Sequence, residues 1–141
     1  MGEAPRVRIL LSRAPRAELV AGQAVEDFGH NLGFSRDTLA EVKLAIVEAC
    51  LNAFEYSEGD VEVELVAHQG NDHPWIEAVV TDHGPGFDPA VVQQPRIEEK
   101  LRAKRKRGWG LELMRHLMDE VEISSRPGFT QVRMVRRRGG E

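Results

Sequence analysis

Apolar side chains recur along this chain with two different periods, and the periods divide its first half into a strand and two helices. Alternation from Arg6 to Leu11 predicts a first strand. Apolar residues then recur every three or four positions from Ala14 to Leu32, which predicts a helix. The same spacing follows Ser35, whose hydroxyl is a good helix cap, and predicts a second helix that ends near Tyr56.

The second half of the chain contains more strands than helices, and short links separate neighbouring strands. Its predicted elements are a strand from Val61 to Leu65, a turn over Gln69–Pro74, a strand over Trp75–Thr81, a helix over Gly108–Asp119, and strands over Glu120–Ser125 and Gln131–Arg136. Short links favour antiparallel pairing. We therefore expect an α+β fold, a two-layer α/β sandwich in which a mixed, mostly antiparallel sheet is covered on one face by helices.

Composition indicates one globular domain over residues 1–141, since 41% of the residues are apolar and 30% are charged. The single cysteine, Cys50, cannot form an internal disulfide and lies in an apolar helical pattern, so we expect it in the core. No apolar run approaches the roughly 20 residues that span a bilayer. These features predict a cytoplasmic protein that does not associate with membranes.

Positive charge is concentrated locally, although the net charge is −4. Seven basic residues lie between Arg96 and Arg107, against only Glu98 and Glu99. Such an excess suits an anionic ligand or partner. Direct nucleic-acid binding is disfavoured because aromatic residues that could stack on bases are almost absent there. The C-terminal run Arg136–Arg138 is interpreted as a solvated end.

Polar residues form one stripe along the second predicted helix. Glu41, Glu48, Asn52 and Glu55 fall within about 60° of one another at 100° per residue. On a solitary helix this stripe would be the solvent face. Small alanines border it, however, and a carboxylate one turn from a carboxamide is suited to hold Mg²⁺ and to orient a nucleophile.

A second group of candidates follows the predicted strand that ends at Thr81. Asp82 can accept hydrogen bonds from an amino group, while Gly84 and Gly86 let the main chain approach a ligand closely. The alternative is an ordinary turn, because Asp, Gly and Pro are typical turn residues.

A third group closes a long, charged loop and opens a helix; it consists of Arg107, Gly108, Trp109, Gly110 and Leu111. Free amide groups at a helix start, the positive end of the helix dipole and nearby basic side chains together favour phosphate binding. The alternative is a solvated loop followed by a glycine-rich cap. The pattern of a Walker A loop is absent from the chain.

The order and spacing of these three groups resemble the N, G1 and G2 boxes of the histidine-kinase-like ATPase superfamily, which contains gyrase and the sensor kinases. The match runs from Leu39 to Val135, with a long lid over about residues 89–108. The form EACLNAFEYS of the first box and RGWGLELM of the third resemble the bacterial anti-sigma factor serine kinases. The resemblance implies the Bergerat ATP-binding fold.

The resemblance also implies roles for residues of the first two boxes. Asn52 would coordinate the Mg²⁺ that bridges the phosphates, and Glu48 would be the base that accepts the proton of a substrate serine. Asp82 would bind the adenine amino group, and Gly84 and Gly86 would make room for the base.

For the third box, the resemblance implies main-chain contacts to phosphate from Gly108–Leu111, with Arg107 nearest the transferred group. Thr130 matches a polar position that helps bind adenine. Two positions differ from many relatives. Tyr56 stands where a histidine is common, and His83 stands at a variable position after Asp82 that is often asparagine-like.

The function that the resemblance implies is an ATP-dependent serine-protein kinase and anti-sigma factor of a partner-switching system. Its cofactors would be ATP or ADP with Mg²⁺, and its partners a STAS-type anti-anti-sigma protein and a sigma factor. The first strand and helix of relatives form a dimer surface, which implies a homodimer. The alternative function is a nucleotide-binding interaction module that transfers no phosphate.

Overall fold

The computed structural model describes residues 4–70, 73–84 and 107–139, which adopt the predicted α+β fold. The strands are β1 (Arg6–Leu11), β2 (Val61–Gly70), β3 (His73–Asp82), β4 (Glu120–Arg126) and β5 (Phe129–Arg137). The helices in these ranges are α1 (Ala17–His30), α2 (Arg36–Tyr56) and α3 (Arg107–Leu117). Gly86 and most of the predicted lid lie outside the described residues.

The five strands form one sheet in the order β1-β2-β3-β5-β4, and every neighbouring pair is antiparallel. The parallel component of the predicted mixed sheet is therefore not found among the described strands. The reason is topological. Strands β3 and β4 run in the same direction, but the β4–β5 hairpin places β5 between them, so they do not pair.

Local signals explain where α1 and α2 begin and end. Ser35 caps α2 by accepting a hydrogen bond from the Thr38 amide at 3.1 Å, as predicted. Helix α1 is shorter than predicted at both ends. Arg16 precedes it with φ 65°, outside helical geometry, and Gly33 follows it with φ +80°, a conformation that glycine adopts readily.

Hairpin geometry corrects the predicted turn between β2 and β3. Gln69 pairs with Pro74 and Gly70 with His73, so the strands continue through most of the range predicted as a turn. Only residues 71–72 separate them, since two residues suffice to link antiparallel strands. The predicted lid also ends earlier than expected. Helix α3 begins at Arg107, so the last two residues of the predicted lid are helical.

The helices cover one face of the sheet, and the core lies between the two layers. Helix α2 is central because it packs against both α1 and α3. The largest fully buried side chains include Ile46, Leu65, Met114 and Met134. Burying each such side chain stabilises the fold by about 1.5–3 kcal/mol. Cys50 is also fully buried, as predicted, and burial raises the pKa of its thiol to about 12.

The opposite face of the sheet is open and carries paired charges. Arg8 on β1 contacts Glu62 on β2 at 2.8 Å. On β3, Glu77 accepts from Arg133 and lies 3.0 Å from His68. Burial raises the pKa of the Glu77 carboxyl, but the hydrogen bonds with His68 and Arg133 and the Arg133 charge outweigh burial, so the pKa is lowered.

The C-terminal arginines correct another prediction, because they are not a solvated end. Arg136 donates to the Leu117 carbonyl at the end of α3 at 2.6 Å and to Glu41 on α2 at 2.7 Å. Arg138 donates to the Leu32 carbonyl at 3.3 Å. Arg136 thereby serves a carbonyl at the end of α3, where carbonyls lack intrahelical partners, and Arg138 serves the segment that follows α1.

Candidate functional site

The polar stripe of α2 runs from solvent into the interior. Glu41 and Glu55 are exposed, Glu48 is half-buried, and Asn52 is only 3% exposed. The stripe is therefore not simply a solvent face. Helical spacing places Glu48 and Asn52 one turn apart on the side of α2 near α3, because Gly110 of α3 abuts Asn52.

Asn52 is an unusual residue for the core. Within the described part of the chain, neither Nδ2 nor Oδ1 of Asn52 has a hydrogen-bond partner. A buried amide without partners costs about 1–3 kcal/mol, so such groups are rare in folded proteins. A Cβ atom added at Gly110 would collide with the Asn52 amide, so glycine is what lets this amide pack directly against the backbone of α3.

At one end of the sheet, three polar side chains form a row on the helix-covered face. Asp82 of β3 is opposite Thr130 of β5, which is opposite Ser125 of β4. Asp82 and Thr130 are 3% and 1% exposed. The Ser125 and Thr130 hydroxyls are 2.8 Å apart, within hydrogen-bond distance.

The backbone after β3 folds back onto the end of α2. The Gly84 amide donates to Asp82 Oδ1 at 3.0 Å, which fixes the turn that follows the strand. A Cβ atom at Gly84 would collide with the Tyr56 carbonyl oxygen, so glycine is required for this backbone contact. Tyr56, Gly84 and His83 line an open cleft of about 640 Å³ at this contact.

The third predicted group begins α3. Arg107, Gly108 and Trp109 form the first positions of this helix. Gly110 and Leu111 follow in the same helix and are buried. Free amide groups at the start of a helix attract anions. Because Gly110 contacts the Asn52 side chain, the start of α3 lies beside Asn52.

Helix α2 brings the three predicted groups together. Asn52 contacts Gly110 of the third group, and one turn further on the Tyr56 carbonyl contacts Gly84 of the second. Thr130 joins through its pairing with Asp82. Gly86 falls outside the described residues, so its predicted role stays a prediction.

Sequence reasoning missed Ser125 and the part that Tyr56 plays through its backbone. The only signal for Ser125 was its position in a predicted strand, and the pairing with Thr130 depends on the register of the β4–β5 hairpin. The close approach of Gly84 to Tyr56 joins residues that are 28 positions apart in the sequence. No local pattern encodes either contact.

Two further kinds of feature are absent from the described residues: clusters of metal-binding side chains and membrane-spanning helices. In ranges 4–70, 73–84 and 107–139, no group of three or more His, Cys, Asp or Glu side chains could hold a metal ion. None of the helices in these ranges is long and apolar enough to cross a membrane.

The described residues thus combine an antiparallel sheet, a helical layer on one face, and two buried polar side chains, Asn52 on α2 and Asp82 on β3. The family model described as "Histidine kinase-like ATPase domain" matches residues 11–136. The chain therefore belongs to the histidine kinase-like ATPase domain family.

Within this family, the chain is similar to serine-protein kinases named RsbW. It is 31% identical over 114 residues to that of Oceanobacillus iheyensis, covering 77% of this chain and 72% of the relative. It is likewise 31% identical over 115 residues to that of Bacillus subtilis, covering 78% of this chain and 71% of the relative.

Two solved structures share the fold. A crystal structure of the RsbU and RsbW domains of a Mycobacterium tuberculosis protein has a TM-score of 0.64 at 20% identity. It covers 95% of this chain, which spans 32% of that longer chain. The SiaB–SiaC complex from Pseudomonas aeruginosa has a TM-score of 0.56 at 13% identity, covering 93% of this chain and 89% of that chain.

Proposed function

We propose that this protein is an ATP-dependent serine-protein kinase and anti-sigma factor. It transfers the γ-phosphoryl group of ATP to a serine of a STAS-type anti-anti-sigma protein, and it binds a sigma factor in the alternative state of the switch. The observation that carries the proposal is the buried Asn52 amide, which has no partner in the described chain and lies one turn from Glu48. The similarity to serine-protein kinases named RsbW supports it.

Mg²⁺ fits the residues present. The Asn52 side chain offers an oxygen, which is the ligand type that Mg²⁺ prefers, and this buried oxygen has no hydrogen-bond partner among the described residues. Mg²⁺ in nucleotide sites is commonly held by few protein ligands together with phosphates and waters. Asn52 would hold the ion, which would neutralise phosphate charge during transfer.

Glu48 and Arg107 act on the reacting groups in this proposal. Glu48 accepts the proton of the substrate serine hydroxyl as the serine oxygen bonds to the γ-phosphorus. The bond from that phosphorus to the β–γ bridging oxygen breaks, and ADP leaves with its electron pair. Arg107 balances the negative charge of the transferred group, and the amides of Gly108–Leu111 bind the phosphates.

The base-binding end is proposed at the row of polar side chains on the sheet. Asp82 accepts a hydrogen bond from the adenine amino group, since a carboxylate is purely an acceptor. Thr130 provides the second polar contact, and Gly84 and Gly86 leave room for the flat base. Residues 89–106 would serve as the lid of a single domain that spans residues 1–141.

A homodimer and a cytoplasmic location complete the proposal. Leu10 on β1 is 66% exposed, and Leu19 and Val20 on α1 are also exposed, which supports a dimer surface on these two elements. Light scattering at several protein concentrations measures the oligomeric state.

Direct nucleic-acid binding is not part of the proposal. The C-terminal arginines Arg136 and Arg137 are paired with carboxylates, which reduces the charge free to bind nucleic acid.

The deciding experiment is phosphotransfer to a STAS-type antagonist with Mg·ATP, followed by detection of phosphoserine. We expect transfer with the wild type and with Asp37→Asn, which changes an exposed carboxylate in the first turn of the same helix. Glu48→Gln should lower the rate by about 10²–10⁴ while ADP still binds. Normal ADP binding without phosphoserine in any antagonist would instead favour the interaction module that transfers no phosphate.

A further inference from the structure

Arg13 lies in the exposed link between β1 and α1, yet its guanidinium group reaches the far end of α2. Its Nη2 donates to the carbonyl oxygens of Phe54, at 2.5 Å, and Ser57. Its Nε donates to the Glu58 carbonyl at 3.4 Å. The guanidinium carbon also lies 5.4 Å from the centre of the Phe54 ring, a cation–π distance.

These contacts supply what the end of α2 lacks. The last turn of α2 contains no basic residue, and the last carbonyls of any helix have no intrahelical partners and carry partial negative charge. A planar guanidinium with five N–H donors can serve several carbonyls at once, which an ammonium group does less well. One side chain more than 40 positions away in sequence therefore fixes the end of this helix.

The segment that Arg13 holds is also a wall of the candidate site. The Tyr56 carbonyl lies between the bonded residues Phe54 and Ser57, and it packs directly against Gly84. The Gly84 amide in turn donates to Asp82 Oδ1 at 3.0 Å. A continuous series of contacts thus connects Arg13 to the Asp82 carboxylate, and a shift of the helix end would displace that carboxylate.

We propose that Arg13 is a positioning residue for nucleotide binding, which holds the end of α2 and thereby the turn that orients Asp82. This inference rests on the proposed function, because Asp82 is taken as the group that binds the base. Arg13 contacts neither nucleotide nor substrate, so it should affect how tightly nucleotide binds and leave the transfer step itself unchanged.

The test is calorimetric titration of ADP into the full chain carrying Arg13→Met, Arg13→Lys or Arg8→Met. Methionine keeps an apolar stem against Phe54 but removes all the donors. We expect Arg13→Met to weaken ADP binding about tenfold, because three charge-assisted contacts are lost, and Arg13→Lys to weaken it less. Arg8→Met removes an equivalent exposed charge on β1 and should leave the affinity unchanged.

Two further measurements separate positioning from general destabilisation. Val25→Ala lowers the stability of the core in α1 and should leave ADP affinity unchanged at a temperature where it is folded. In the phosphotransfer assay, Arg13→Lys should raise KM for ATP and keep kcat. This variant also carries the test if Arg13→Met does not fold.

The outcomes are distinct. Wild-type affinity in both Arg13 variants, or a loss of affinity in Val25→Ala equal to that in Arg13→Met, would overturn the positioning role. Failure of the wild-type chain to bind ADP at all would overturn the proposed function itself, before any variant is considered.

Discussion

Polar side chains on the open face of the sheet differ from the buried Asn52 of α2 in whether they have partners. On the open face, charged groups are paired with each other, as in the contacts of Arg8 with Glu62 and of Glu77 with Arg133. In the helical layer, Asn52 of α2 is buried without a partner among the described residues. Since an unsatisfied buried amide opposes folding, its presence indicates a group kept for a ligand. Asn52 differs in this respect from Asp82 and Thr130, whose side chains already have hydrogen-bond partners.

The largest effect should come from removing the unpartnered amide. Asn52→Leu, similar in volume, should abolish magnesium-dependent phosphotransfer while raising the free energy of unfolding by about 1 kcal/mol, because no polar group is left buried. The phosphotransfer assay measures the first effect. Thermal unfolding without ligand measures the second, and with Mg·ADP it shows whether nucleotide binds, since the nucleotide should stabilise only the wild type. A destabilised variant that keeps its magnesium dependence would mean that Asn52 is structural.

A smaller effect should follow from adding a methyl group at Gly110, where the Asn52 amide packs against the helix backbone. Alanine normally stabilises a helix relative to glycine by about 1 kcal/mol. At Gly110 the added methyl group meets the Asn52 side chain, so we expect Gly110→Ala to weaken ADP binding about 10-fold to 100-fold.

Gly59 offers the matched control for that variant. No atom lies within 4 Å of a Cβ added there. Gly59→Ala should therefore bind ADP as the wild type does, measured by the same calorimetric titration. Equal affinities in Gly110→Ala and Gly59→Ala would show that the Asn52 side chain can move aside without loss.

The smallest effect is expected on the open face. Glu77→Gln should lower the free energy of unfolding by about 1–2 kcal/mol at pH 7 and leave ADP affinity unchanged, because it loses charged hydrogen bonds with Arg133 and His68. Urea denaturation at pH 7 and pH 3 measures the difference between variant and wild type.

The pH dependence follows from the lowered pKa of the Glu77 carboxyl. A depressed folded-state pKa contributes stability that is present above the unfolded value of about 4.3 and is lost as the pH falls through the folded value. The two proteins should therefore converge towards pH 3. A constant difference would show that Glu77 acts through packing instead.

Much of the fold could be predicted from local pattern. The cap at Ser35, the alternation in β1 and the helical spacing of α2 lie within single elements, and each depends on interactions between residues close in sequence. Apart from the ends of α1, the predictions that failed depended on distant partners. The ends of β2 and β3 depended on their pairing, and the contacts of Arg136 depended on α2 and α3.

The candidate site shows the same division. The groups around Glu48, Asn52 and Asp82 predicted a nucleotide-binding domain through their resemblance to a known family, and the family match over residues 11–136 agrees. Burial of Asn52 against Gly110 could not be predicted, since helical geometry places a residue on a face without saying what covers that face.

The sequence by itself determined the secondary-structure pattern, the fold class and the chemical types at the site, because these depend on short-range periodicity and on side-chain chemistry. Only the tertiary structure decided which polar groups are paired on the open face, that Ser125 joins Thr130, and that Arg13 holds the end of α2. Strand order and helix packing create those contacts between residues far apart along the chain, and no local interaction specifies them.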